Sequence, residues 1–210
     1  ISGDGKVVVG QSLTSPTDTR AVLWDASGVI KDLGGSNLSW ANAANVDGTV
    51  VVGRDNDKAF RWTDATGIQS LGTLGGSRSE ANDVSADGSV VVGKAQQTDN
   101  SDRAFRWTEA TGMTNLGVLS GATSSEATGV SDDGKVVVGI SDSRGFIWKA
   151  DAPAMQDLEN LQLSQITSAA TLGQLTAAQN RRMRDLNQQH CIPTDAQQYC
   201  LSSGLSTYRG

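Results

Sequence analysis

Two short acidic clusters, Asp55-Asn56-Asp57 and Asp99-Asn100-Ser101-Asp102, are the densest groups of oxygen donors in the chain. Carboxylates and side-chain amides at this spacing can take a hard cation such as calcium weakly, and they are equally the dress of a solvated loop. The sequence leaves both readings open. Glycan hydrolysis would need two carboxylates facing one cleft. Asp83 and Glu126 are available acids, but nothing in the sequence selects them. The single histidine, His190, precedes Cys191. A Cys–His nucleophile needs an imidazole facing a site that favours the thiolate, and adjacent residues on one segment do not readily provide it. No Gly-x-Ser-x-Gly elbow, phosphate-cradling loop or metalloprotease helix is written. The expectation is therefore a protein without a catalytic residue, a resident metal or a cofactor. If ligand contacts exist, Asp55, Asn56, Asp57, Asp99, Asn100 and Asp102 are the candidates.

The elements that position these clusters come from a repeat. "AFRWTDATG" at 59–67 returns as "AFRWTEATG" at 104–112. Asp-Gly pairs fall at Asp4-Gly5, Asp47-Gly48, Asp87-Gly88 and Asp133-Gly134, spaced 43, 40 and 46 residues apart. Each is followed by a valine run ending in glycine: "KVVVG" 6–10, "TVVVG" 49–53, "SVVVG" 89–93 and "KVVVG" 135–139. An aromatic segment follows in each copy, "RAVLWD" 20–25, "KAFRWT" 58–63, "RAFRWT" 103–108 and "RGFIWK" 144–149.

The pieces read as strands. Asp-Gly tolerates the positive φ of a tight turn, which singles out Gly48, Gly88 and Gly134 as structural. The β-branched valine runs are too short for helices. In the aromatic segment Phe60 and Trp62 share a face opposite Ala59 and Arg61. Trp24, Trp62, Trp107 and Trp148 all occupy this one position and read as core. Four short strands per 40–46 residues is the size of a propeller blade. One such sheet cannot bury both faces, so copies must stack. The predicted class is an all-β repeat, propeller-like, with about four blades of four short strands over 1–161 and a C-terminal extension over 162–210.

These motifs, with "ANDVSADGSVVVGKA" and "RAFRWTEATGMTNLG" at their centre, resemble the HAF-type extracellular repeat of bacterial secreted and autotransporter passenger proteins. The family is named for His-Ala-Phe; here Lys58-Ala59-Phe60 and Arg103-Ala104-Phe105 carry a cation instead of histidine. The resemblance covers about 1–161 and implies an exported, cell-surface β-propeller-like domain without transferable catalytic residues.

Composition narrows the partners. The net charge is −6 with no strongly basic stretch, which argues against nucleic acid and anionic membranes. No apolar run approaches the roughly 20 residues of a membrane-spanning helix. The chain opens in mid-pattern at Ile1-Ser2, which reads as a mature fragment; the first copy lacks its upstream strand. An incomplete blade is an open edge. Either "LSSGLSTYR" 201–209 or a second chain could complete it, the latter as a homodimer or swapped assembly; upstream blades preceding Ile1 are the third alternative.

In the extension, 174–189 reads as an amphipathic helix with Thr171 or Thr176 as N-cap. It suits packing on the repeats, packing on a partner copy, or a link to a following membrane barrel. Cys191 and Cys200 suit a small disulfide loop in an oxidising compartment, with free thiols the alternative. Such a loop would be worth about 2–3 kcal/mol. The function expected from these observations is a secreted or surface-displayed adhesion module. It would present stretches 11–19, 54–57, 94–102 and 140–143 to a protein or glycan. A structural spacer and a glycan hydrolase are the alternatives.

Overall fold

The structure, a computed structural model, describes residues 1–15, 17–158, 192–194 and 197–199. The expected helix at 174–189, Cys191, Cys200 and the candidate closing strand 201–209 lie outside these residues. The described part is all-β. Blade 1 has three strands, β1 (Val8–Ser15), β2 (Asp18–Trp24) and β3 (Ile30–Asp32). Blade 2 has β4 (Ser39–Ala44), β5 (Val50–Asp55), β6 (Lys58–Thr63) and β7 (Gly67–Gly72). Blade 3 has β8 (Gly75–Val84), β9 (Val91–Gln97), β10 (Asp102–Thr108) and β11 (Gly112–Asn115). Blade 4 has β12 (Glu126–Val130), β13 (Val136–Ser141), β14 (Arg144–Lys149) and β15 (Ala152–Asp157). All pair antiparallel in sequence order. A separate ribbon, β16 (Ile192–Thr194) with β17 (Gln197–Tyr199), pairs Ile192 with Tyr199.

Alternation along the strands sends successive residues to different neighbouring blades. Val51, Phe60 and Trp62 pack on Ala21, Leu23 and Leu33 of blade 1, while Val50, Val52 and Ala59 pack on Val91 and Phe105 of blade 3. The same division places Val92 and Ala104 against Val137, Phe146 and Trp148 of blade 4. Phe60, Phe105 and Phe146 are completely buried, which explains why the aromatic segment repeats: each copy fills the same inter-blade slot. The cores join blades 1–2, 2–3 and 3–4; among the described residues no core cluster joins blade 4 to blade 1.

The Asp-Gly turns do two jobs. Gly48, Gly88 and Gly134 adopt φ of 73°, 73° and 69°. A Cβ on any of them would also meet Val7, Val50 or Val90 of the preceding blade at 2.5 Å. The turns are joined across blades by backbone bonds: Asp4 N–H to Val46 O (2.8 Å), Val46 N–H to Ala86 O (3.3 Å) and Ala86 N–H to Asp132 O (3.1 Å). Arg61 reaches Gly88 O (3.1 Å) and Arg106 reaches Gly134 O (3.3 Å), so each of these arginines clamps the next blade's turn.

In three of the four turns a serine hydroxyl organises the loop, and in blade 2 Asn45 takes that place, its side-chain oxygen accepting from Val50 N–H at 2.9 Å. Ser85 Oγ donates to Asp87 (2.6 Å) and accepts from Val90 N–H (3.0 Å), and Ser131 does the same for Asp133 and Val136. The Ser85 hydroxyl chiefly holds the Asp87 carboxyl below the usual carboxylate range, and Ser131 does so for Asp133. At Asp4 the backbone amide of Lys6 leads and the value falls to about 2. A carboxyl whose folded pKa is depressed stabilises fully above its unfolded value near pH 4 and loses that contribution as pH falls through the folded value. Urea unfolding should therefore show stability falling below about pH 4. The pair Asp87→Asn with Asp133→Asn should lower stability at neutral pH and flatten the acid limb. An acid limb of unchanged steepness would show that these turns do not carry the linkage.

A β-bulge interrupts every inner strand. The pairing skips one residue between Ala41 and Ala43, between Ala81 and Asp83, and between Ala127 and Gly129. Opposite each bulge stands the glycine that ends the valine run. A Cβ on Gly53, Gly93 or Gly139 would lie 2.1, 2.0 or 2.1 Å from the carbonyl oxygen of Trp40, Glu80 or Glu126. These three glycines lie outside the positive-φ set; close backbone approach is what demands them. The residue bulged out is put to use: Asn42 donates to Ala81 O and Asn82 to Ala127 O, both at 2.9 Å, tying inner strand to inner strand.

Candidate functional site

The stretches expected to be variable loops are mostly strand. β1, β5, β9 and β13 run on through Ser15, Asp55, Gln97 and Ser141, and only the tips turn. The tips need little chain because Asn56, Asn100 and Asp142 take positive φ (51°, 64° and 49°). Asp55 and Asp102 are therefore strand residues, the last of β5 and the first of β10, and both are half-buried.

The acidic clusters are spent on those tips. Asp55 accepts from the backbone N–H of Ser36 (2.8 Å) and from its hydroxyl, bracing the connection that enters blade 2. Asn56 N–H donates to Leu38 O at 2.7 Å, and Asp57 pairs with Arg54 at 3.6 Å. Asp99 accepts from Ser101 N–H (2.9 Å) and the Ser101 hydroxyl, and that hydroxyl chiefly lowers its pKa. Asn100 N–H donates to Gln97 O (3.1 Å), and Asp102 O accepts from Ser125 N–H (3.1 Å). No hydrogen bond or ion pair among the described residues joins one cluster to the other, and no three His, Cys, Asp or Glu gather there as metal ligands. Asp142 repeats the bracing role of Asp55, holding Thr123 and Ser124.

The two acids considered for hydrolysis also have structural partners. Asp83 accepts from Val130 N–H of blade 4 at 2.9 Å. Glu126 is held by Asn82 (2.8 Å) and Lys94 (3.2 Å).

Glu126 instead belongs to a row of side chains that crosses the blades. Trp40, Glu80 and Glu126 occupy one register position on β4, β8 and β12, opposite Arg54, Lys94 and Ile140 on β5, β9 and β13. The row is stitched diagonally between blades. The Arg54 guanidinium lies 4.9 Å above the Trp40 ring and 3.9 Å from Glu80; Lys94 reaches Glu126. Asn42 adds a bond to Glu80 at 3.2 Å. Trp40, Arg54, Glu80, Lys94 and Glu126 are all half-buried, so an indole with a stacked cation and alternating charges meets solvent beside the hairpin tips. The available signal was a break in the repeat: "SWAN" stands where the other copies read "SEAN" and "SEAT".

The four tryptophans of the aromatic position do not form an exposed ladder. Trp62 and Trp148 are buried in inter-blade cores and Trp107 packs against one; Trp24, on the face of blade 1 away from blade 2, is half-buried.

No family model and no curated protein matches this sequence. Among solved structures the chain is similar to a TolB-assigned protein of Agrobacterium tumefaciens, with TM-score 0.58 and 17% identity over 75% of this chain and 62% of that one. It is also similar to TolB from Acinetobacter baumannii, with TM-score 0.53 and 20% identity over 75% of this chain and 41% of that one. The chain thus spans less than two thirds of either neighbour. At these identities the likeness speaks for the fold, which is all-β and propeller-like. Among the described residues no helix is long and apolar enough to cross a membrane.

Proposed function

We propose that this chain is a non-catalytic binding module, displayed outside the cell as the HAF-type resemblance implies, that takes a glycan or protein on the hairpin-tip side of its blades. One observation carries the reading. The residues that recur in every copy are consumed by turns, bulges and inter-blade cores, whereas the repeat diverges at Trp40 and at the facing position (Arg54, Lys94, Ile140) of the half-exposed row that also holds Glu80 and Glu126. An indole edge beside paired charges suits a sugar ring bearing carboxylates or a peptide of mixed charge. The divergent tips around Asn56-Asp57 and Asp99-Asn100 flank that row and would set specificity.

The test is a panel of immobilised neutral, sialylated and uronic-acid glycans and extracellular-matrix proteins. Trp40→Ala is expected to weaken the selected ligand about tenfold or more, and Lys94→Met to change its salt dependence, with thermal midpoints little altered. Retention of full binding by both variants would remove the row from the function. A folded chain that captures nothing on the panel would point to the spacer role.

A further inference from the structure

We propose that Asp47-Gly48 is a site of spontaneous covalent modification, converting to isoaspartate through a cyclic imide while the serine-held Asp-Gly turns of blades 3 and 4 resist. The site lies at the turn end of blade 2, away from the Trp40 row, and does not depend on the binding role assigned to that row.

The chemistry needs only water. The glycine nitrogen attacks Cγ of the aspartate before it. A C–N bond closes the imide, and one carboxyl oxygen leaves as water, taking the amide proton and the carboxyl proton. Water then adds at the former main-chain carbonyl, whose C–N bond breaks. The chain now runs through Cβ and Cγ, one methylene longer and unchanged in mass. Glycine permits the attack because no side chain shields its nitrogen. Two kinds of contact oppose it: a hydrogen bond that occupies the glycine N–H, and bonds that pin the carboxylate and keep it ionised.

In blades 3 and 4 both are firm. The Ser85 and Ser131 hydroxyls each donate to the carboxylate two residues on at 2.6 Å. Gly88 and Gly134 each donate N–H to the carbonyl of that same serine at 2.9 Å. Blade 2 departs from this. "NVDG" 45–48 stands where the others read "SADG" 85–88 and "SDDG" 131–134. The Asn45 oxygen is taken by Val50 N–H, and its amide turns to Ala86 O at 3.3 Å and the Thr49 hydroxyl at 3.4 Å. Asp47 is held chiefly from downstream, by the Thr49 hydroxyl (2.6 Å) and N–H (3.1 Å). The bond from Gly48 N–H to Asn45 O is longer than its equivalents, at 3.2 Å. Asp87 has the downstream hydroxyl too, from Ser89 at 2.8 Å, so comparing Asp47 with Asp87 isolates the upstream serine. Without that serine the carboxyl turns toward the Gly48 nitrogen by giving up chiefly the bonds from Thr49.

Conversion would loosen the joint between blades. Val46 accepts from Asp4 N–H and donates to Ala86 O, which ties three turns together. Gly48 is pressed on Val7, where even a Cβ would stand 2.5 Å away. An added methylene forces this contact apart.

The test holds the 210-residue chain for weeks at neutral pH and body temperature in heavy-oxygen water. Cleavage after lysine and arginine puts the three aspartates in separate peptides, 32–54, 79–94 and 107–135, for fragmentation that distinguishes isoaspartate. Isoaspartate carrying heavy oxygen should accumulate at Asp47 about threefold or more faster than at Asp87 or Asp133. Asn45→Ser should bring Asp47 down to their rate. Ser85→Ala should raise Asp87 and leave Asp133 unchanged. In urea the three rates of the unfolded chain should converge. Equal rates in the folded chain would overturn the proposal, as would no conversion at Asp47 while the unfolded chain converts. A lead of Asp47 that persists in urea would place the cause in its sequence neighbours and overturn it too. Should Asn45→Ser fold poorly, an unchanged rate at Asp87 in Ser85→Ala is still decisive against it.

Discussion

Gly93→Ala is expected to cost the chain roughly 3 kcal/mol or more of stability, while the same change at Gly10 costs almost nothing. The two glycines end the same valine-run motif and neither has positive φ, so helix or strand propensity predicts equal effects. The difference is backbone against backbone. At Gly93 the new methyl would stand 2.0 Å from Glu80 O and 3.0 Å from Ala81 Cα, and neither is the end of a flexible side chain that could swing aside. Relief requires the bulge to move. That drags Asn82 from its bond to Ala127 O and shifts Ala81 within the core shared by blades 2 and 3. At Gly10 the methyl lies against the Trp24 ring at 3.5 Å. Urea unfolding of both variants beside the parent measures the contrast. Equal losses would mean that the glycine is required by strand conformation and not by the bulge.

Ser125→Ala should be the next most damaging of the changes considered, at about 2–4 kcal/mol. The Ser125 hydroxyl is buried, accepts from Ala104 N–H of blade 3 at 2.9 Å and donates to Gly117 O at 2.5 Å. Removing it leaves a donor and an acceptor unpaired at once inside an inter-blade seam, and each orphan costs about 1–3 kcal/mol. Ser79 does the same work one blade earlier, bonding Ala59 N–H (2.8 Å) and Gly72 O (2.5 Å), so Ser79→Ala should match it. Ser39 accepts from Ala21 N–H at 3.0 Å but donates to the nearby Ser36 O at 3.2 Å, and its replacement should cost less. Chemical denaturation orders the three. Exchange at the Ala104 amide tests the mechanism, because that amide should open before the rest of β10 in Ser125→Ala. A Ser125→Ala chain with parental stability would show that solvent replaces the hydroxyl in the seam.

Much of this architecture could be read without coordinates. Copies in one order of motifs set the blade count, the Asp-Gly turns set the first hairpin of each blade, and period-two alternation put Phe60 and Trp62 together opposite Ala59. The tips were not legible. Polar residues such as Asp55 and Asp102 look like loop, yet they sit in strands whose ends they brace through serines about twenty positions away. Trp40 departs from the repeat, and recurrence is the only signal that marks a position in this sequence.

What the sequence by itself determined is local and periodic: strands, turns, their order, and the need to stack. Those follow from φ preferences, β-branching and alternation, which act within a few residues and recur whenever the motif does. Only the tertiary structure decided what each recurring residue is for. Gly88 and Gly93 stand five apart in one motif; the first serves a left-handed turn pressed on Val50, the second a carbonyl two ångströms away. Arg54 lies over an indole in its own blade and Glu80 in the next, and Ser125 closes a seam with β10. These roles arise between blades, where residues some twenty to forty positions apart meet at van der Waals distance, and no pattern inside one repeat encodes which neighbour arrives.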